Sequence, residues 1–193
     1  MEELFFLILG ILFTEGEMFL NRYVYHAPKI KTSSKLVDVR NEENEVVLKF
    51  KRSYKNLFIK LLDSFLLEGS SFVKFDTYSV RGELNYRGMK KLSKVGKTEY
   101  YIENYKDHST YQITYTSLQI VAPELLIKSA TEEYVVKHTP MDWAKFYYKG
   151  KEVARWRMKT TELFKTYLEI DEDSPIQDPA FFICLFQCIL YVG

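Results

Sequence analysis

The tripeptide Gly96-Lys97-Thr98 matches the end of a P-loop, a motif that cradles phosphates with backbone amides and a lysine. The complete motif also needs a glycine five residues before Gly96, and Lys91 occupies that position. A strand pattern follows Thr98, whereas a P-loop leads into a helix. The sequence therefore predicts a hairpin turn here and no nucleotide site.

Candidate metal ligands occur in two groups near the C-terminus. Cys184 and Cys188 lie four residues apart in an apolar run, and no Cys/His pair elsewhere has zinc-site spacing. Five acidic residues precede that run, where they could bind calcium or could complement the positive end of a helix dipole. They are Glu169, Asp171, Glu172, Asp173 and Asp178. We expect buried thiols and helix capping, with no metal or other cofactor.

The residue types needed for covalent catalysis are present, but they form no local motif. His26, His108 and His138 are isolated in sequence, and no Gly-x-Ser-x-Gly nucleophile elbow occurs. A Ser-His-Asp triad could still assemble from distant residues, because such triads are defined by geometry and not by sequence position. We expect a protein that is not an enzyme; an enzyme of unknown class is the third alternative.

Basic residues offer the best candidate for a binding surface. Adjacent in the fold, they could contact anionic lipid headgroups, at about 1 kcal/mol per basic residue near a membrane surface. The candidates are Lys49, Lys51, Arg52, Lys55, Lys90, Lys91, Lys94 and Lys97. Lysine is also favoured on exposed strands because it discourages edge-to-edge pairing, so a solvated face is the alternative interpretation.

The composition is that of one folded domain. Of the 193 residues, 47% are hydrophobic and 27% charged, and the 15 Tyr and 14 Phe favour β structure. A formal net charge of +1 gives no general attraction for nucleic acid, which we do not expect as a partner. Two cysteines and no Asn-x-Ser/Thr sequon favour a cytoplasmic protein, peripheral at the membrane if the basic residues bind lipid.

Residues 1–20 are set apart as an apolar N-terminal segment. Residues 4–13 are strongly apolar, but a membrane-spanning helix needs roughly 20 such residues. The acidic start also differs from the basic start of a secretory signal. The segment could dock on the domain, on a protein partner or on a second copy, associate with a membrane, or be a signal-like remnant. The remaining residues, 21–193, form the predicted domain.

Short alternating runs dominate that domain. In one of them Val46, Leu48 and Phe50 would share a buried face while Lys49 and Lys51 face water, which is the pattern of a half-buried strand. The other runs are residues 22–26, 36–40, 72–78, 83–90, 98–105, 110–116, 125–128, 133–138, 143–148, 152–158 and 164–170. About twelve strands at this spacing are typical of antiparallel barrels and sandwiches.

Two segments have a helical pattern. Residues 54–67 place apolar side chains on one stripe, which predicts an amphipathic helix. Residues 175–192 are apolar nearly all round, with Ser174 as predicted N-cap and Gln177 completing a capping box. Such a helix needs burial on every side, and a barrel of about twelve strands is wide enough to enclose it. We therefore predict a mainly β fold, a barrel closed around this central helix.

This order of elements resembles the tubby C-terminal-like superfamily, which includes the phospholipid scramblases and LURP-one-related proteins. The likeness is greatest to small tubby-like proteins of Bacillus-type Firmicutes. It covers roughly Tyr25 to Gly193, and its strings are residues 34–39, 49–56, 61–63 and 176–179. The resemblance implies a binding or membrane-proximal scaffold and no known reaction. The acidic calcium segment of scramblases has no clear counterpart here.

Two functions of different classes follow. The first is a non-enzymatic scaffold that associates with anionic membrane lipid through the basic strand residues. The alternative is a soluble protein-interaction module that uses residues 1–20 to dimerise or to dock on a partner. Binding to liposomes discriminates the two, because only the first requires lipid.

Overall fold

Twelve antiparallel strands form a closed barrel in the computed structural model, which describes residues 21–30, 32–66, 73–92, 98–116, 123–139 and 142–190. Each strand pairs with the next in sequence, and the last pairs with the first. The strands are β1 (Asn21–His26), β2 (Val37–Arg40), β3 (Val46–Ser53), β4 (Lys74–Ser79), β5 (Leu84–Leu92), β6 (Thr98–Asn104), β7 (Thr110–Tyr115), β8 (Glu124–Lys128), β9 (Glu133–His138), β10 (Ala144–Tyr148), β11 (Lys151–Lys159) and β12 (Lys165–Ile170). The predicted mainly β barrel is confirmed.

Two α-helices and a short 3-10 helix, Thr160–Glu162, complete the described part of the chain. Helix α1 (Leu57–Leu66) connects β3 to β4, and helix α2 (Pro179–Leu190) follows β12. We call the end of the barrel at which β3 ends and α1 begins the upper end. Helix α2 runs through the barrel from the lower end, and its last described residue, Leu190, lies at the upper end beside Lys159.

Helix α2 is the core of the barrel, as predicted. Its residues from Ala180 to Cys188 are buried on every side, and their contacts with the strands are largely aromatic. Phe182 meets Phe146 edge to face with ring centroids 5.0 Å apart, and Phe186 stacks on Trp156 at 5.7 Å. Burial of this helix and of the inward strand faces against each other supplies the main hydrophobic stabilisation.

The start of α2 was predicted wrongly. The helix begins at Pro179 and not at residue 175, because Asp178 is the N-cap: its Oδ1 accepts a hydrogen bond from the backbone amide of Ala180 at 2.9 Å. Ser174 instead donates to the carbonyl of Ile176 at 2.8 Å. Gln177 donates to three loop carbonyls rather than completing a capping box. The predicted capping role of the acidic residues is thus confirmed at Asp178.

Helix α1 begins later than residue 54 for a similar reason. Asn56 caps it, and its Oδ1 accepts from the backbone amide of Ile59 at 2.8 Å. Tyr54 therefore precedes the helix. Within the described residues, neither α1 nor α2 is long and apolar enough to cross a membrane. The N-terminal segment, residues 1–20, lies outside the described residues.

Helix α2 packs tightly against β5. A Cβ atom built on Gly88 would lie 3.1 Å from Sγ of Cys184 and 3.2 Å from Cβ of Cys188, so a side chain here would require these neighbours to move by a few tenths of an ångström. Both thiols are buried, as predicted, and burial raises the pKa of each. Cys184 donates to the carbonyl of Phe75 at 3.3 Å.

One polar network crosses the core. The hydroxyl of Tyr25 accepts hydrogen bonds from Trp156 Nε1 at 2.8 Å and from Gln187 Nε2 at 2.9 Å. Gln187 Oε1 accepts from Arg52 Nη2 at 3.3 Å. The buried Gln187 amide is therefore bonded to side chains of β1 and β3. Burial raises the pKa of Tyr25 to about 12, so the hydroxyl stays protonated at neutral pH.

Candidate functional site

Strand β3 divides the predicted basic residues between two faces. Lys49 and Lys51 point outward, whereas Arg52 lies on the inward face and is only 1% exposed. The reason is the two-residue period of a strand, which puts Arg52 on the same face as Phe50. Arg52 bonds to Gln187 of the central helix, and a lipid headgroup cannot reach it from the outside. The structure therefore removes Arg52 from the candidate surface.

The register of three neighbouring strands brings further charges beside Lys51. Lys51 on β3 lies opposite Asp76 on β4, and Asp76 lies opposite Arg87 on β5. Arg87 binds Asp76 with two hydrogen bonds, from Nε to Oδ1 at 2.6 Å and from Nη2 to Oδ2 at 3.1 Å. Such a bidentate pair is geometrically specific and fixes the guanidinium in place.

Asp76 is the buried anchor of this cluster. It is only 1% exposed although its side chain faces outward, because its neighbours cover it. Besides Arg87, the hydroxyls of Ser53 and Tyr78 donate to Oδ2 at 2.7 and 3.3 Å. The hydrogen bonds from Arg87 to Asp76 also raise the pKa of Arg87 above its usual value, so the guanidinium is charged at any physiological pH.

These side chains line a shallow outer pocket of about 600 Å³. We call it the basic pocket. It lies on β3, β4 and β5 near the upper end of the barrel and includes the residues that lead into α1. Its lining residues are Lys51, Ser53, Tyr54, Lys55, Lys74, Asp76, Tyr78 and Arg87.

The basic pocket carries uncompensated positive charge. Arg87 and Asp76 neutralise each other, which leaves Lys51, Lys55 and Lys74. None of these three lysines makes an ion pair with any residue whose position is described. Lys51 Nζ instead lies over the ring of Tyr78, 5.2 Å from its centroid. Three cations grouped in one pocket form an arrangement suited to an oxyanion such as a phosphate.

The other predicted basic residues lie apart from the basic pocket. Lys49 is outward on β3, with Nζ 3.9 Å from Asp38. Lys91 is exposed on β5 and lies over the ring of Tyr101. Lys90 is half-buried and lies close enough to Cys188 to lower the pKa of its thiol, against the larger effect of burial. Lys94 and Lys97 lie outside the described residues.

Comparison with known proteins identifies the family. A model of the Tubby C-terminal like domain matches residues 23–192, which is nearly the whole chain. The chain belongs to the Tubby C-terminal like domain family. Searches of curated proteins and of solved structures each gave no significant match.

The tubby-like domain is consistent with a non-enzymatic binding scaffold, since the family is generally non-enzymatic. Across the described part of this tubby-like protein, no group of three or more His, Cys, Asp or Glu side chains is arranged to hold a metal ion. The cations of the basic pocket can recognise an anion by charge and hydrogen bonding.

A second cluster of charged side chains in the tubby-like protein lies on the wall of the barrel. The carboxylate of Glu169 on β12 accepts from Arg22 on β1 at 2.8 Å and from Arg155 on β11 at 2.7 Å. The Glu169 side chain is 5% exposed, so the two guanidinium groups compensate its burial. This cluster ties three adjacent strands together where the barrel closes.

Sequence reasoning found only part of the basic pocket. It selected Lys51 and Lys55 and missed Lys74 and Arg87. Both missed residues lie in predicted strands, at outward positions of an alternating pattern. What brings them beside Lys51 is the register across β3, β4 and β5, which no local pattern in the sequence specifies.

Proposed function

We propose that this tubby-like protein is a non-enzymatic scaffold that associates with anionic membrane lipid through the basic pocket. The observation that carries the proposal is the grouping of Lys51, Lys55 and Lys74, without carboxylate partners among the described residues, around the fixed Arg87–Asp76 pair. The net charge of the chain is only +1, so an attraction for anions has to come from a local cluster of this kind.

The expected strength of this attraction is modest. Three lysines near an anionic surface contribute about 3 kcal/mol, or roughly a hundredfold in partitioning. A contribution of this size produces reversible association that salt weakens, because exposed charges are screened within about 10 Å at 0.1 M salt. The scaffold would therefore bind and leave a membrane readily and respond to its content of anionic lipid.

Charge reversal tests the assignment of the site. The variant Lys51→Glu/Lys74→Glu puts two carboxylates beside Asp76 and should abolish flotation with vesicles of phosphatidylcholine containing about one third phosphatidylserine. The matched control is Lys128→Glu/Lys149→Glu, which changes the net charge equally at exposed positions on β8 and the β10–β11 turn. This control should float like the unchanged protein.

Two results would count against the proposal. Equal loss of flotation in the test variant and the control would mean that total charge, and not the basic pocket, determines binding. No flotation of the unchanged protein at low salt would leave the soluble interaction module as the better function. In that case a dimer that dissociates on deletion of residues 1–20 would support the alternative.

A further inference from the structure

Large apolar side chains are concentrated on the surface of the upper end. Six of them lie on the β1–β2 connection, on α1 and just before β12, and they are between 45% and 71% exposed. We call them the apolar tip: Ile30, Leu36, Leu57, Phe58, Leu61 and Leu163. A grouped apolar surface of this kind is unusual on a soluble domain and marks a contact with something else.

The tip is one continuous region and not scattered side chains. Ile30, Leu36 and Leu163 line a single groove of about 630 Å³ beside the end of β1. The connection that carries Leu36 also contacts α1, since Lys60 Nζ donates to Oγ of Ser34 at 3.3 Å. The backbone of Leu163 has φ 56°, a conformation uncommon for a leucine, and its side chain is 66% exposed.

Lysines surround the apolar tip. Lys29 and Lys35 are exposed on the β1–β2 connection, Lys55 is exposed just before α1, and Lys165 begins β12 beside Leu163. Lys60 lies on α1 itself, between Phe58 and Leu61. An occupant that fits this surface is apolar in its centre and acidic at its edges.

Residues 1–20 have that composition. The apolar residues 4–13 are preceded by Glu2 and Glu3 and followed by Glu15 and Glu17, and the segment contains no lysine or arginine. The same acidic residues disfavour an anionic membrane as its destination, because they would be repelled by the negative surface. Residues 1–20 and the apolar tip with its surrounding lysines therefore complement each other in both hydrophobicity and charge.

The chain is long enough for residues 4–13 to reach the apolar tip. Residue 21 begins β1 at the lower end, and the six residues of β1 rise about 20 Å to the upper end. Residues 14–20 extend up to about 24 Å, so residues 4–13 can reach the tip beside β1, β2 and α1. A tethered segment also has an effective concentration in the millimolar range, which favours this contact over one between separate molecules.

We propose that residues 4–13 dock on the apolar tip, with the flanking glutamates against its lysines. This contact lies next to the basic pocket on the outer wall and shares Lys55 with it. It makes residues 1–20 a part of the domain and not an anchor, and it covers the apolar surface of α1.

An environment-sensitive label tests the docking in the full-length chain. The variant Phe58→Cys carries a nitrobenzoxadiazole label within the tip; the two native thiols are buried and escape labelling. We expect blue-shifted emission and weak quenching by iodide, with quenching rising several-fold when residues 1–20 are deleted. A label at Val80→Cys, 54% exposed at the lower end, is the control and should not respond to the deletion.

A charge-reversal variant provides a second test, which does not require the deletion of residues 1–20. Glu15→Lys/Glu17→Lys should increase iodide quenching of the label at position 58 in the full-length protein. Equal quenching with and without residues 1–20 would overturn the proposal. So would shielding that rises with protein concentration, which would indicate a second copy, or shielding that arises only with anionic vesicles, which would indicate a bilayer.

Discussion

Tyr25 connects the wall of the barrel to the helix inside it. Its hydroxyl is the common acceptor for Trp156 on β11 and Gln187 on α2, and all three side chains are buried. Buried polar groups need partners, because a donor left without one costs about 1–3 kcal/mol. This single oxygen therefore links β1 and β11 of the wall to the helix inside it.

Replacement of Tyr25 by phenylalanine should lower the free energy of unfolding by about 3 kcal/mol, since two buried donors lose their acceptor. Urea denaturation measures the loss. The control is Tyr105→Phe, because Tyr105 is 39% exposed and water can replace its hydrogen bonds. A loss for Tyr25→Phe no larger than for the control would show that the network does not stabilise the core.

His138 makes stability depend on pH. Burial lowers its pKa below the usual value near 6.5, so the unfolded chain binds a proton more readily than the folded one. The contribution of His138 is complete above about pH 6.5 and is lost as the pH falls towards the lowered pKa of the folded state. His138→Gln should reduce the decline in melting temperature between pH 7 and pH 5. An unchanged decline would contradict this role.

At the scale of elements, the close contact between β5 and α2 depends on a glycine, Gly88, which has no side chain. Gly88 lets the helix backbone approach the strand, and its neighbours are the two cysteine side chains. The aromatic pairs on the opposite side of α2 then fill the wider space against β10 and β11. The helix is thus held off-centre, with small residues on one side and large ones on the other.

Gly88→Ala should destabilise the protein by about 2 kcal/mol, because the new methyl group overfills a closely packed contact. The change is measured by thermal or urea unfolding. In the double variant Gly88→Ala/Cys184→Ala the shorter side chain makes room, so its loss should be smaller than the sum of the two single losses. Strict additivity would show that the strand shifts freely and that the contact is not tight.

The elements differ in how far the sequence determines them. Strand alternation is local, so all twelve strands could be predicted within a few residues. Two Pro residues near the end of the chain each follow a good N-cap, Ser174 or Asp178. The helix starts at the second because the Gln177 side chain binds carbonyls of the preceding loop, a geometry that the residue types alone do not specify. The alternating pattern of β3 alone could have predicted that Arg52 faces the barrel interior. By contrast, the position of Lys51 beside Lys74 and Arg87 depends on the register of three strands.

At the scale of the whole molecule, the chain topology and the distribution of charge are two separate features. Most strand pairs are neighbours in sequence, but closure brings β1 against β12, more than 130 residues away, and α2 is the last element of the chain. The fold is therefore complete only when nearly the whole domain is present. Charge is nearly balanced overall, and the basic pocket is a local excess on an otherwise mixed surface.

Flotation of the full-length protein with anionic and neutral vesicles, at low and physiological salt, is the sharpest test of lipid binding by the basic pocket. We expect binding to phosphatidylserine-containing vesicles that is strong at low salt, weaker at physiological salt and absent with phosphatidylcholine alone. Equal binding to neutral vesicles, or no binding to anionic vesicles at low salt, would contradict the claim that the basic pocket recognises anionic lipid.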